Sequence, residues 1–379
     1  MRVRIIALLF LIYAAPFANA QDFQTTATHA VILDYETGEI LFDQNGGVPM
    51  PPASMSKLMT ILMAFEAIDR GALSLDDELP VSEYAWRTGG AASGSSTMFL
   101  EVNSRARVED LLRGIIIQSG NDACIVIAEA LSGSEAAFAA DMTARARELG
   151  LTSASFANST GWPDPGQQIS AADLARIAAI IIRDHPELYE LFAEREFTYN
   201  GIRQFNRNPL LSTVDGVDGL KTGHTQESGY GLVASGVRNG TRRIVVYNGM
   251  ESERARANEG ERLMRAALTD FDVIDLAEAG DVVGEAEVFL GQAETVALRL
   301  NSDVRLGLHV NARDDIEAVV VYDGPLPSPI SEGDVIAMLE VSAPGVETRR
   351  YELEAAEDVD RQGLMGRALA GLGSLFGFN

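Results

Sequence analysis

The sequence predicts a layered domain of mixed helices and strands (α/β or α+β), then a small all-β module and a C-terminal amphipathic helix. Three observations carry this. Before residue 271, apolar residues recur at helical spacing in several segments and alternate with short β-branched runs. From Asp272 the texture changes to short alternating runs separated by Gly, Asn and Pro turns. From Gly363, apolar residues fall along one helical side. The resulting division is residues 1–20, 21–271, 272–355 and 356–379.

The first segment reads as a secretory leader. Arg2 and Arg4 precede an apolar run from Ile5 to Phe17, and Ala18-Asn19-Ala20 supplies an Ala-x-Ala cleavage site. An uncleaved anchor is the other reading, and the run is short for a membrane span. The mature chain is therefore expected to work outside the cytoplasm. With 379 residues, 46% hydrophobic and 22% charged, the composition is that of an ordinary globular protein large enough for two cores. A formal net charge of -25 argues against nucleic acid as a partner and against simple electrostatic docking on anionic lipid. One cysteine, Cys124, excludes an intramolecular disulfide and reads as a buried structural thiol.

Taken in order, Ala30–Leu33 and Ile40–Phe42 read as paired strands about a Thr37-Gly38 turn. Pro51-Pro52-Ala53-Ser54 then opens a helix with Ser54 as its N-terminal residue and Leu58, Ile61, Leu62 and Phe65 as its core face, ending near Gly71. Residues 78–96, polar and rich in Gly and Ser, read as a loop. Helices are expected over 108–118, 122–131 and 135–149, followed by a loop over 160–168. Ser170-Ala171-Ala172-Asp173 resembles a capping box starting a helix through Arg183. Lys221 to Gly223 lies on a short strand, a hairpin crosses Arg238-Asn239-Gly240, and Ser252 to Leu268 is helical. The β module follows to about Leu353, and Glu352 to Asp360 reads as an acidic linker. In the last segment Leu364, Ala368, Leu372, Leu375 and Phe376 share one side, as an interfacial helix on a membrane surface requires. A helix packed on the protein or an unstructured tail fits the same residues.

Three motifs carry the chemistry: Ser54-x-x-Lys57, Ser119-Gly120-Asn121 and Lys221-Thr222-Gly223. Average composition yields on the order of one Ser-x-x-Lys and roughly a tenth of a Lys-Thr-Gly by chance in such a chain. All three in order, on a helix start and a strand, are far rarer. Lysine usage sharpens the point. Of the 30 Lys and Arg residues only Lys57 and Lys221 are lysine. Arginine stays protonated, whereas a buried lysine can lose its proton and act as a base. The pattern is that of acyl transfer. Lys57, one turn from Ser54, activates the hydroxyl if its surroundings keep it neutral, and a nearby cation such as Lys221 lowers its pKa and attracts a substrate carboxylate. Ser119 can relay a proton to the leaving amine, and Asn121 can hold the substrate amide and orient Lys57. Gly223 lets a substrate backbone lie against the strand, and the N–H groups of Ser54 and His224 can serve a developing oxyanion.

These motifs resemble those of the penicillin-binding, serine-type D-alanyl-D-alanine carboxypeptidases of low molecular mass, peptidase family S11. The likeness extends to Ala53 through Thr60, Gln118 through Ala123, Phe205-Asn206-Arg207-Asn208 and Asp218 through Thr225, and covers essentially the whole chain. The resemblance implies a β-lactamase/transpeptidase-like catalytic domain. It implies Ser54 as acyl-enzyme nucleophile, Lys57 as base, Ser119 and Asn121 as relay and substrate holder, and Lys221, Thr222, Gly223 and His224 as the binding strand. Arg207 resembles the arginine near the substrate's terminal carboxylate, with a structural salt bridge as its other reading. Ser56 in place of the commoner Thr and Pro209 in place of Gly are minor departures. The implied substrate is a peptidoglycan pentapeptide, with β-lactams as covalent inhibitors, and the implied location is periplasmic, peripheral on the outer face of the inner membrane. Homodimerisation stays open.

No cofactor or metal is expected, because His29, His185, His224 and His309 lack ligand spacing. A Ser–His pair through His224 is unnecessary beside Lys57. A β-lactamase would need a loop Glu to activate water, and residues 160–168 contain none. An endopeptidase on cross-linked peptides remains compatible, and a non-catalytic scaffold would not need Lys57.

Overall fold

Thr37-Gly38 turns the first hairpin of the computed structural model, which describes residues 23–363. His29–Asp34 (β1) and Ile40–Gln44 (β2) pair antiparallel across it, with Gly38 at φ 75° in the left-handed region that glycine tolerates. A 3-10 turn, Ala53–Ser56, leads into α1 (Lys57–Asp69). The expected core face of Leu58, Ile61, Leu62 and Phe65 is fully buried, but so are Met59, Thr60 and Ala64. The helix is buried on most of its circumference, with Met63 and Glu66 half-buried and Asp69 exposed, and its buried apolar residues belong to the core cluster.

The stretch 78–96 is not a loop throughout. It contains β3 (Glu78–Pro80) and α2 (Glu83–Gly89), the latter capped by Ser82, whose hydroxyl accepts from Ala85 N–H at 2.9 Å. Seven residues are too few to show a helical apolar period. The helix ends in Gly89 because a Cβ there would sit 2.4 Å from the Asp122 backbone nitrogen. Next come β4 (Arg105–Arg107), paired with β3, and then α3 (Val108–Ile117), α4 (Asn121–Ser132), α5 (Glu135–Glu148) and α6 (Ala171–Asp184), close to the sequence expectation. The capping box of α6 forms by half. Ser170 accepts from Asp173 N–H at 3.1 Å, but the Asp173 carboxylate takes Ser153 N–H at 3.0 Å instead of reaching back.

Short α7 (Pro186–Tyr189), the β5–β6 hairpin (Glu196–Tyr199, Ile202–Phe205) and α8 (Leu210–Thr213) precede β7 (Val217–Thr225). Then β8 (Gly229–Arg238) and β9 (Thr241–Met250) join through Asn239 and Gly240, both at positive φ as a tight hairpin turn requires. The principal sheet runs β2-β1-β9-β8-β7, every pair antiparallel, with β7 on an edge. Helix α9 (Glu253–Thr269) closes this unit, which spans Gln24–Phe271.

The second unit begins at Asp272. Strands β10 (Phe271–Ala277), β11 (Val282–Phe289), β12 (Thr295–Leu300), β13 (Val304–His309), β14 (Glu317–Val321), β15 (Leu326–Pro327), β16 (Val335–Ala343) and β17 (Val346–Ala355) form a β10-β13 ribbon and a six-stranded sheet. Inward residues alternate, as Val296, Leu298 and Leu300 do along β12, and build a separate apolar core. The stretch read as an acidic linker continues this unit. Val359 is 2% exposed and exchanges backbone hydrogen bonds with Ile330 at 2.8 and 3.0 Å. The leader and the amphipathic segment from Leu364 lie outside the described residues.

Candidate active site

Ser54 does not cap α1. It lies inside the 3-10 turn before it, half-buried, with no side-chain bond to the helix N-terminus. Instead the Lys57 amine donates to Ser54 Oγ at 2.9 Å, so the turn delivers the pairing that the three-residue spacing predicts. Two features hold the turn. Ala53 sits at φ 49°, a left-handed conformation uncommon for alanine, and Gly161 leaves room for it, since a Cβ there would lie 2.0 Å from the Ala53 carbonyl oxygen. Backbone held in such a conformation is characteristic of functional sites.

Lys57 is fully buried, and its amine also donates to the Thr160 carbonyl. Both acceptors are neutral. Burial lowers its pKa to about 8, helped by the Arg207 charge and opposed by Cys124, Glu135 and Asp122. Lys221 is 1% exposed and donates to the Thr222 carbonyl at 3.2 Å. Burial, then the charges of Lys57 and Arg207, hold it well below the ordinary lysine range. Burial also pushes the Cys124 thiol up to about 12, so it stays protonated and unreactive at neutral pH.

The second motif joins α3 to α4. Ser119 takes φ 64°, and its buried Oγ has no hydrogen-bond partner. Asn121 is the first residue of α4; its Nδ2 donates to Ser95 Oγ at 3.0 Å, and its Oδ1 is unpartnered. Ser119 Oγ and Asn121 Oδ1 are therefore buried polar atoms without a protein hydrogen-bond partner. Arg207 is solvent-exposed and donates to Ser96 Oγ at 2.7 Å, while Ser96 O accepts from Asn121 N–H at 2.8 Å. The salt-bridge reading of Arg207 gives way to this link with the second motif.

On the edge strand β7, Lys221, Thr222 and Gly223 are buried and His224 is exposed. Gly223 has a role the sequence reading missed. A Cβ there would lie 2.9 Å from the Pro52 carbonyl oxygen and 3.0 Å from Met55 Cγ, so its smallness lets the serine turn pack on the strand. The His224 ring stacks on Tyr230 with centroids 3.7 Å apart. Ser54 thus has an amine, not an imidazole, as its basic neighbour. Among the described residues no cluster of three His, Cys, Asp or Glu side chains suits a metal ion.

Asp122 also escaped sequence reading. Its buried carboxylate accepts from the Thr97 hydroxyl at 2.6 Å and from the N–H groups of Met98, Leu100 and Ala123 at 3.0, 3.1 and 3.0 Å. It holds residues 97–100, which directly follow Ser95 and Ser96, whose hydroxyls are bonded by Asn121 and Arg207. Its position directly after Ser119-Gly120-Asn121 was the only available signal.

Residues 15–251 match the Peptidase S11 model, D-alanyl-D-alanine carboxypeptidase, and residues 271–361 match the model of the penicillin-binding protein 5 C-terminal domain. The chain is 34% identical to D-alanyl-D-alanine carboxypeptidase DacC of Escherichia coli (strain K12), over 95% of this chain and 92% of that protein. It is 35% identical to DacA of Haemophilus influenzae, covering 91% and 88%. Among solved structures, penicillin binding protein 5 from Haemophilus influenzae aligns with a TM-score of 0.67 at 35% identity, covering 89% of this chain and 98% of that one. Penicillin-binding protein D2 from Listeria monocytogenes in its ampicillin-bound form aligns with a TM-score of 0.56 at 30% identity, covering 65% and 98%. The chain belongs to the peptidase S11 family of D-alanyl-D-alanine carboxypeptidases.

Proposed function

We propose that the chain removes the terminal D-alanine from peptidoglycan pentapeptide stems through an ester on Ser54, and that β-lactams trap it there. One observation carries this: a buried lysine, without a counter-ion among its bonded partners, lies 2.9 Å from a half-buried serine hydroxyl. Neutral Lys57 Nζ takes the Ser54 proton as Oγ attacks the penultimate carbonyl. The N–H groups of Ser54 and His224 receive the oxyanion. Ser119 passes a proton to the departing D-alanine amine, and Asn121 holds the stem amide. Lys221, Thr222 and Arg207 bind the terminal carboxylate, and the stem lies along the edge of β7, where an extended peptide finds unpaired backbone groups. Water then hydrolyses the ester and restores Ser54.

The N-terminal leader supports export to the periplasm, and the amphipathic tail supports attachment to the outer face of the inner membrane, near nascent wall. The physiological role that follows is wall maturation and control of cell shape. The test is release of free D-alanine from a pentapeptide muropeptide by wild type and Ser54→Ala. Release that vanishes in the variant supports the proposal. Rapid penicillin consumption without D-alanine release favours a β-lactamase, and neither activity favours a scaffold.

A further inference from the structure

Glu135 opens α5, and its residue is 9% exposed. Its carboxylate accepts from Ser159 N–H at 3.2 Å, the Ser159 hydroxyl at 2.8 Å and the Tyr84 hydroxyl at 2.9 Å. All three donors are neutral, so the buried negative charge is not cancelled by its bonded partners. The residue it grips is gripped again from the other side, where the Thr60 hydroxyl of α1 donates to the Ser159 carbonyl at 2.7 Å. Ser159 precedes Thr160, whose carbonyl accepts from the Lys57 amine. The peptide chain after it is pinned as well, since Asn158 Oδ1 accepts the N–H groups of Gly161 and Trp162 at 2.7 and 3.1 Å. Glu135 also lines a cavity of about 300 Å³ together with Asn121 and Thr160, which places it beside the same cluster.

We propose that Glu135 is a positioning residue for Lys57. By clamping Ser159 it keeps the Thr160 carbonyl on the amine, and it adds a fixed negative charge to the pocket in which that amine exchanges its proton. This rests on the reading of Ser54 and Lys57 as nucleophile and base. The other ionisable groups facing Lys57 are Asp122 and Cys124 on α4, Lys221 on β7, and Arg207 between β6 and α8. Asp122 is held by its own four donors, and Cys124 stays a neutral thiol at working pH. Glu135 is thus a carboxylate that both bonds the Lys57 loop and faces the amine, and the two contributions separate by substitution. Glutamine keeps an acceptor for Ser159 and loses the charge; alanine loses both.

The test is the rate of Ser54 acylation by benzylpenicillin, followed by intact mass from pH 6 to 10 on the whole mature chain. In wild type the rate falls on the acid side of about pH 8 as Lys57 is protonated. In Glu135→Gln the lost negative charge disfavours the ammonium, so the acid limb moves to lower pH by about one unit, with most of the plateau rate retained. In Glu135→Ala the plateau itself falls, by about tenfold to a hundredfold, because the Thr160 carbonyl is no longer fixed. Should Glu135→Ala melt too low to assay, Ser159→Ala removes one clamping bond alone and lowers the plateau about threefold without moving the acid limb. A Glu135→Gln profile that superimposes on wild type overturns the electrostatic role. Wild-type plateaus in the alanine variants overturn the clamp. Failure of the parent reading looks different: wild type is then not acylated, or Ser54→Ala is labelled equally well.

Discussion

The two units bury different things. The unit from Gln24 to Phe271 encloses Lys57, Lys221, Asp122, Glu135 and the buried Arg243–Asp34 ion pair, whereas among the described residues of the unit beginning at Asp272 the buried polar group is Ser328. The second unit is what burial alone selects: Val296, Leu298, Leu306 and Leu353 inside, and charges outside. The first departs from that rule most sharply at the two lysines. A buried charge costs several kcal/mol unless it is paired or neutralised. Lys57 and Lys221 donate to neutral hydroxyl and carbonyl oxygens, so burial moves both toward the neutral form. The difference separates a core selected for stability from one that gives up stability for a titratable amine.

The comparison breaks most visibly at Lys57→Arg. Arginine preserves charge and length but cannot act as a base, so acylation of Ser54 by penicillin should fall by about a thousandfold or more while the thermal melt shows a folded chain. Retained acylation would mean that the lysine is not the base. In the second unit, Leu298→Ala should lower stability by about 2–5 kcal/mol in denaturant unfolding, with little change in the acylation rate. Lys57→Met should have the opposite sign. It abolishes acylation yet raises stability at pH 7 by about 1–3 kcal/mol, because an amine with its pKa lowered to about 8 no longer has to be buried.

The same shift fixes a pH dependence. The folded state holds fewer protons on Lys57 than the unfolded state between about pH 8 and the ordinary lysine value of 10.5, so this group's contribution to stability rises across that window and is flat below it. Wild type should show that rise in its unfolding free energy, and Lys57→Met should lack it. The smallest effect belongs to His224→Ala. Its ring stacks on Tyr230, so its loss should cost about 1 kcal/mol of stability and leave acylation within a fewfold of wild type. A collapse of activity would return the imidazole to the chemistry.

Much of the site was legible because its parts are local. Ser54 and Lys57 share one turn, Ser119 and Asn121 one junction, and Lys221 to Gly223 one strand, so spacing and residue type suffice. The rarity of lysine pointed to the same two positions. What escaped depends on partners far along the chain. Arg207 was named from the sequence but its bond to Ser96, 111 residues away, was not, and Asp122 acts on residues 97–100 and Glu135 on Ser159. Nothing in the local pattern distinguishes such carboxylates from helix N-terminal charges. Local geometry also misled at Ser54, where the proline-led helix start resolves into a 3-10 turn, and at α2, too short to show a period.

The most direct test uses that rarity. Because lysine occurs only at two positions, side-chain NMR of lysine-labelled protein yields two Cε signals to follow with pH, and Lys57→Arg assigns them by removing one. Lys57 should titrate near pH 8 and Lys221 well below its ordinary range. Two signals titrating together near 10.5, the ordinary value for a lysine, would contradict the claim that burial makes Lys57 the base.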